Sequence, residues 1–159
     1  MLEGYIDFAR GDAEEVTGTA SLSALFKRQQ EDFELSGKSL EYVIVGDDAV
    51  TVRPNAFARL IANLASNAKR HANRLEITAE HGEKWLTISF DDDGPGIAPD
   101  MREEVFKPFL RLDNARNLDS SGTGLGLAIA RDIARGHGGN VVLSESPLGG
   151  LRATIHIPC

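Results

Sequence analysis

The 159-residue chain predicts an α+β fold, a two-layer α/β sandwich, and three observations carry that expectation. Segments of helical period mix with short runs of strand period, without the regular strand–helix alternation of a doubly wound sheet. Several strands follow one another across turn-forming residues. The length suits one domain that closes a single core without staples.

Leu2, Tyr5, Ile6 and Ala9 fall on one helical stripe that stops near Gly11. So short a helix is marginal alone in water, so 1–11 reads as the end of a longer one. Residues 12–18 then form a linker, and 19–159 the domain proper. Ser21 is placed to cap a helix running to about Leu35, with Leu22, Leu25, Phe26 and Phe33 on its apolar side. Leu40–Val45 and Val50–Arg53 read as strands separated by the turn residues Gly46-Asp47-Asp48. Pro54 suits the first turn of the next helix, whose stripe is Phe57, Leu60, Ile61, Leu64, Ala65 and Ala68. Leu75–Ala79 and Trp85–Phe90 alternate as a hairpin pair around His81-Gly82-Glu83. Between Ile97 and Ser121 runs a long segment whose one amphipathic piece is Met101–Phe106; a loop of such length in a compact domain is usually functional. Leu125–Arg135 forms a helix stopped by Gly136, Gly138 and Gly139, and Val141–Ser144 and Leu151–Ile157 complete the sheet.

Net charge is −7 and the basic residues are scattered, which argues against nucleic acid as a main partner and against docking on anionic lipid. No apolar run approaches the roughly 20 residues that cross a bilayer, and no signal-peptide pattern opens the chain. The single Cys159 leaves no disulfide framework or thiolate cluster, which fits a reducing, cytoplasmic setting.

Three short patterns in fixed order suit a metal-bound nucleotide. Asn67 lies on the Pro54–Arg70 helix, where Asn63, Asn67 and Arg70 share one face about a third of a turn from the apolar stripe. An amide oxygen suits a hard cation such as Mg²⁺. Asp92-Asp93-Gly94-Pro95-Gly96 follows a strand, and an ionised carboxylate accepts a hydrogen bond from the exocyclic amine of a base. Gly122-Thr123-Gly124-Leu125-Gly126 opens a helix, and glycines there let backbone N–H groups approach phosphate at the positive end of the dipole. The glycines depart from a Rossmann fingerprint and from the protein-kinase glycine loop, because position 127 is Leu. They lack the Gly-Lys-Ser/Thr of a Walker A loop as well.

With Phe106-Lys107-Pro108-Phe109 between the second and third patterns, the chain resembles the catalytic, ATP-binding domain of bacterial sensor histidine kinases, the Bergerat or GHKL fold. The likeness covers the chain from about Pro54 onward and is greatest to the EnvZ type, in the stretch from Asp92 to Pro99. It implies one mixed sheet with helices on one face, and ATP with Mg²⁺ held between helices and a lid formed by the Ile97–Ser121 segment. By this resemblance Asn67 ligates Mg²⁺, with Asn63 beside it, and Arg70 reaches phosphate. Asp92 accepts the adenine amino hydrogen bond, with Gly94, Gly96 and Ile97 around it. Phe106 and Phe109 tie the lid to the nucleotide and to the phosphoacceptor domain, although both also read as plain hydrophobic anchors. Gly122, Thr123, Gly124, Leu125 and Gly126 form the phosphate loop, and Arg111, better placed than Arg116, touches the terminal phosphate.

The family's phosphoacceptor is a His followed by Glu or Asp and then Thr-Pro or a similar pair. His71, His81, His137 and His156 lack that context and read as loop or surface histidines. The expected partner is therefore the dimerisation and histidine-phosphotransfer domain of the same parent kinase, whose second helix would end in residues 1–11. A response regulator receiver domain is served indirectly, the parent is expected in the inner membrane, and the isolated domain as a monomer. Rival readings are an ATPase of the same fold, like DNA gyrase or MutL, an anti-sigma-factor-type serine kinase, and a scaffold that has lost nucleotide. The ATPases place a Glu four residues before the Asn to activate water, where this chain has Asn63, an amide that cannot act as a base. Intact boxes count against the scaffold.

Overall fold

Periodicity decides which side of each element is buried, and the computed structural model, which describes residues 15–107 and 126–159, bears this out. The expected helix at 2–9 lies outside the described residues. Ser21 ends a short strand, β1 (Gly18–Ser21), and its hydroxyl accepts the Ala24 N–H to open helix α1 (Leu22–Leu35). Strand β2 (Ser39–Gly46) and strand β3 (Ala49–Val52) flank Asp47-Asp48, and helix α2 (Pro54–His71) follows. Strands β4 (Arg74–His81) and β5 (Trp85–Asp92) form the expected hairpin. Helix α3 (Gly126–Gly136) precedes the last hairpin, β6 (Asn140–Glu145) with β7 (Leu151–Pro158).

The five-stranded sheet runs β2-β4-β5-β7-β6, with β2 parallel to β4 and every other pair antiparallel. Alternate residues point to one face, where Leu75, Ile77, Ala79, Leu86, Ile88, Phe90, Val141, Leu143, Ala153, Ile155 and Ile157 are buried. The apolar sides of the three described helices join them in one core, so these helices cover a single face. This is the expected two-layer sandwich.

The two strands around the first turn signal do not pair with each other. The strands flanking Gly46-Asp47-Asp48 belong to different sheets: β2 pairs with β4, and β3 pairs antiparallel with β1 in a two-stranded ribbon. Parallel partners need a long crossover, and β3 with α2 supplies it. Local turn chemistry marks where the chain bends and says nothing of which strand becomes a neighbour. Likewise, the expected amphipathic piece at 101–106 is two 3₁₀ turns, Pro99–Met101 and Glu104–Phe106.

Both ends of α2 are closed by side chains from afar. Arg53 gives no side-chain cap, and Pro54 occupies the first turn. The Glu15 carboxylate instead accepts the N–H groups of Asn55 (2.8 Å) and Ala56 (2.9 Å), two of the donors that a helix start leaves unpaired. His137, after α3, accepts the Arg53 N–H at Nε2 (3.0 Å), so its hydrogen sits on Nδ1, which meets the Ile133 carbonyl (2.8 Å). At the other end the Lys38 ammonium donates to the Lys69 carbonyl. Asp93 Oδ1 accepts the N–H groups of Asn73 (2.9 Å) and Arg74 (3.0 Å) in the turn from α2 to β4.

These last bonds hold the Asp93 carboxyl below the usual carboxylate range, the Asn73 N–H contributing most. The Asp48 carboxyl is lowered in the same way, first by the Ser21 hydroxyl and then by the Ser23 N–H. A depressed folded-state pKa gives stability that is present above the unfolded value and lost as pH falls through the folded one. The thermal midpoint is therefore expected to fall as pH drops below about 4, near the unperturbed Asp value. Asp93→Asn should show a shallower fall over the same range, read by circular dichroism melts at stepped pH; parallel curves would remove Asp93 from the acid transition.

Candidate functional site

The apolar stripe of α2 fixes the rotation of the helix, and with it the direction of its polar face. Asn63 and Asn67 are half-buried there and Arg70 is exposed. The Asn63 Nδ2 donates to the Gly126 carbonyl at 3.4 Å, so this face abuts the first residue of α3. The Arg70 Nη2 lies 3.5 Å from the Asn67 Oδ1. The first pattern and the last glycine of the third, far apart in sequence, are thus brought together.

Asp92 closes β5 with its side chain buried. Its Oδ1 accepts two backbone N–H groups, from Gly94 (2.9 Å) and Leu151 (3.0 Å), while its carbonyl accepts the Gly150 N–H (3.2 Å). Both side-chain bonds go to one oxygen, which leaves Oδ2 its acceptor capacity. The neighbouring aspartates serve elsewhere. Asp91 grips Arg152 across the outer face of the sheet (2.7 and 3.0 Å) and raises the Arg152 guanidinium further above its usual range. Asp93 anchors the α2–β4 turn. Three consecutive carboxylates therefore diverge. Among the described residues no three His, Cys, Asp or Glu are grouped to hold a metal. The side-chain amides of Asn63 and Asn67 do offer oxygen atoms, the donor type that a hard cation such as Mg²⁺ takes alongside phosphate and water.

The glycines after Asp92 have structural reasons of their own. A Cβ at Gly94 would lie 2.7 Å from the His71 carbonyl, so the loop is packed against the end of α2. Gly96 has φ +73°, in the left-handed region. Ile97 packs half-buried against the core, and its carbonyl accepts the Arg102 Nε. Phe106 is buried in that core under the Arg131 guanidinium, so its anchoring part is plain. At Gly126 a Cβ would meet no described atom within 4 Å. Phe109, Arg111, Arg116, Gly122, Thr123, Gly124 and Leu125 lie outside the described residues.

Sequence reasoning missed Gly150, the Leu151 amide, Glu15 and Arg131. A Cβ at Gly150 would sit 2.2 Å from Asp92 Oδ1 and 2.6 Å from the Gly94 nitrogen, so only glycine leaves that carboxylate its place. In the sequence the Gly149-Gly150 pair signals a turn and nothing more. Arg131 did leave a trace: Leu127, Ala130, Arg131 and Ala134 follow the helical period, which sets a cation at a core position.

Residues 52–159 match the family described as histidine kinase-, DNA gyrase B-, and HSP90-like ATPase, and the chain belongs to that family. Within it, the relatives are sensor kinases. The chain is 44% identical to the sensor histidine kinase CpxA of Escherichia coli (strain K12) over 106 residues, 66% of this chain and 23% of CpxA. It is 34% identical to the sensor histidine kinase GtrS of Pseudomonas aeruginosa over 147 residues, 92% of this chain and 30% of GtrS. The chain thus spans less than a third of the length of either. Full-length ShkA in complex with AMPPNP has the same fold, with TM-score 0.80 and 22% identity over 99% of this chain and 35% of that one.

Gly150→Ala should destabilise the domain by about 1–3 kcal/mol, the usual range for overpacking a tight site. Urea unfolding measures it; a midpoint equal to that of the parent chain would mean the Asp92 pocket yields without cost.

Proposed function

We propose that the domain binds Mg-ATP and passes the γ-phosphoryl group to a histidine on the dimerisation domain of its parent kinase, for relay to a response regulator. The observation that carries this reading is the contact of the Asn63–Asn67–Arg70 face with the start of α3, beside the end of α2 that receives the Asp92 loop. In it Asn67 offers the amide oxygen to Mg²⁺, which when bound neutralises phosphate charge. Arg70 presents a guanidinium, matched in shape to phosphate oxygens. The glycine run 122–126 is assigned, by the family resemblance, to binding phosphate through backbone N–H groups. Asp92 takes the adenine amino hydrogen bond at Oδ2, an acceptor that guanine would face with a carbonyl. Of the lid expected over Ile97–Ser121, Phe109 would serve the nucleotide and Arg111 the terminal phosphate. Phosphoryl transfer needs mostly positioning and electrostatics, so the domain requires no nucleophile of its own.

Asn63 favours transfer to a histidine over hydrolysis. Its amide donates to Gly126 and has no basic site with which to activate water. The histidines are poor acceptors by their surroundings. His137 has both ring nitrogens engaged, His156 stacks on Trp85 with ring centroids 4.2 Å apart, and His81 bonds the Asp47 carbonyl. His71 ends α2 one residue past Arg70, turned about 100° from the Asn67 direction.

Asn67→Ala should lose Mg-dependent ATP affinity by calorimetry while its melting temperature stays near that of the parent chain. Undiminished Mg-ATP binding would overturn the metal assignment. Asp92→Asn should weaken ATP by about 1.5–3 kcal/mol, the worth of a hydrogen bond to a charged group, and narrow the preference over GTP. With γ-labelled ATP the chain alone should take up no acid-labile label, and a separate dimeric domain carrying the acceptor histidine should become labelled. Acid-labile label on the chain alone would refute this reading.

A further inference from the structure

Arg131 is the one buried cation among the described residues, 7% exposed on the inward side of α3. Removing a guanidinium from water is costly unless it is paired and hydrogen-bonded. Here Nη1 and Nη2 grip the two oxygens of Glu103 (2.8 and 2.9 Å), and Nη2 also donates to the Val141 carbonyl in β6 (3.0 Å). The guanidinium carbon lies 3.5 Å from the centroid of the Phe106 ring, a cation–π stack. Nε, buried as well, has no hydrogen-bond partner. The pair holds the Glu103 carboxyl below its usual range, mainly through the Arg131 hydrogen bond.

Packing alone does not ask for this side chain. Ala130, Ile133 and Ala134 on the same helix face an apolar interior, and an apolar residue of similar length would fill the space without a buried charge. An arginine does what no apolar residue can. It touches at once the 3₁₀ turn that carries Phe106, the strand β6 and its own helix, whose first residue receives the Asn63 amide. The planar fork fixes Glu103 in direction as well as distance, and its face fixes the plane of the ring.

We infer that Arg131 is a positioning residue for phosphoryl transfer: it locks the Phe106 turn to α3, so that the ring and the Asn67 face are held in one frame. It touches no nucleotide and acts through Phe106 and α3. The inference rests on the kinase reading above.

Arg131→Met keeps the core filled and removes the fork, the stack and the Val141 bond together. Its melting temperature should stay close to that of the parent chain, and amide exchange at Phe106 and Lys107 should quicken. The rate of label transfer to the acceptor domain at saturating ATP should fall about tenfold, a barrier change of about 1.4 kcal/mol, with KM for ATP changed much less. Arg131→Lys, which keeps charge and one bond to Glu103, should recover part of the rate. Should Arg131→Met fail to fold, the lysine variant carries the test, as a partial loss of rate with KM held. A parent-like transfer rate in a folded variant, or a fall in melting temperature with the rate intact, overturns the inference and leaves the kinase reading standing. A parent chain that transfers no label overturns the kinase reading, and this inference with it.

Discussion

Helix α2 has one side it must bury and one it must not, and the rest of the site follows from that division. Ala56, Phe57, Leu60, Ile61, Leu64, Ala65 and Ala68 are all buried against the sheet and its neighbouring helices. Seven anchors in five turns leave the helix no freedom to rotate, so Asn63, Asn67 and Arg70 point where the stripe makes them point. A slip of one residue would turn each by about 100°, and in the direction that sets Asn67 at the buried Ala68 position it would drive that amide into the apolar interior. The polar groups are thus aimed by apolar ones. The start of α3 is set against Asn63, and the loop after β5 is set against the carbonyl of His71.

That loop depends on a second economy of space. Gly94 and Leu151 both donate to one oxygen of Asp92, and Gly150 fits between them only because it has no side chain. The carboxylate is gripped at once from the loop after β5 and from the first residue of β7, and cannot swing. Its flanking residues could not share the task, since Asp91 faces the outer sheet surface and Asp93 the α2–β4 turn. Alternation along an extended backbone assigns three like residues to three different jobs.

Strong periods were legible in the sequence: the stripe of α2, the alternation of β4 and β5, the Ser21 cap and the glycine stop after α3. Boxes in fixed order marked Asn67, Asp92 and Gly126. Strand β1 was not legible, because Gly-Thr-Ala-Ser has neither length nor alternation to announce it. Nor was the partnership of β2 with β4, which follows from the crossover. The remaining omissions have one cause. Glu15, Arg131 and Gly150 matter through what lies across the fold from them, and local pattern holds no trace of a distant amide, ring or carboxylate. Arg131 is the exception, since a cation on an apolar period already asks what it is paired with.

The clasp on the first turn of α2 has a consequence for the way the domain assembles. Its backbone N–H groups are bonded from Glu15, 40 residues upstream, and from His137, 84 residues downstream. A helix of this length can form its middle turns early and locally, within about a microsecond. Its first turn cannot be completed until both distant segments arrive, and closing long loops is what slows folding. The helix that aims the site would therefore grow from its centre, and its opening turn would be among the last parts of the protein to become native.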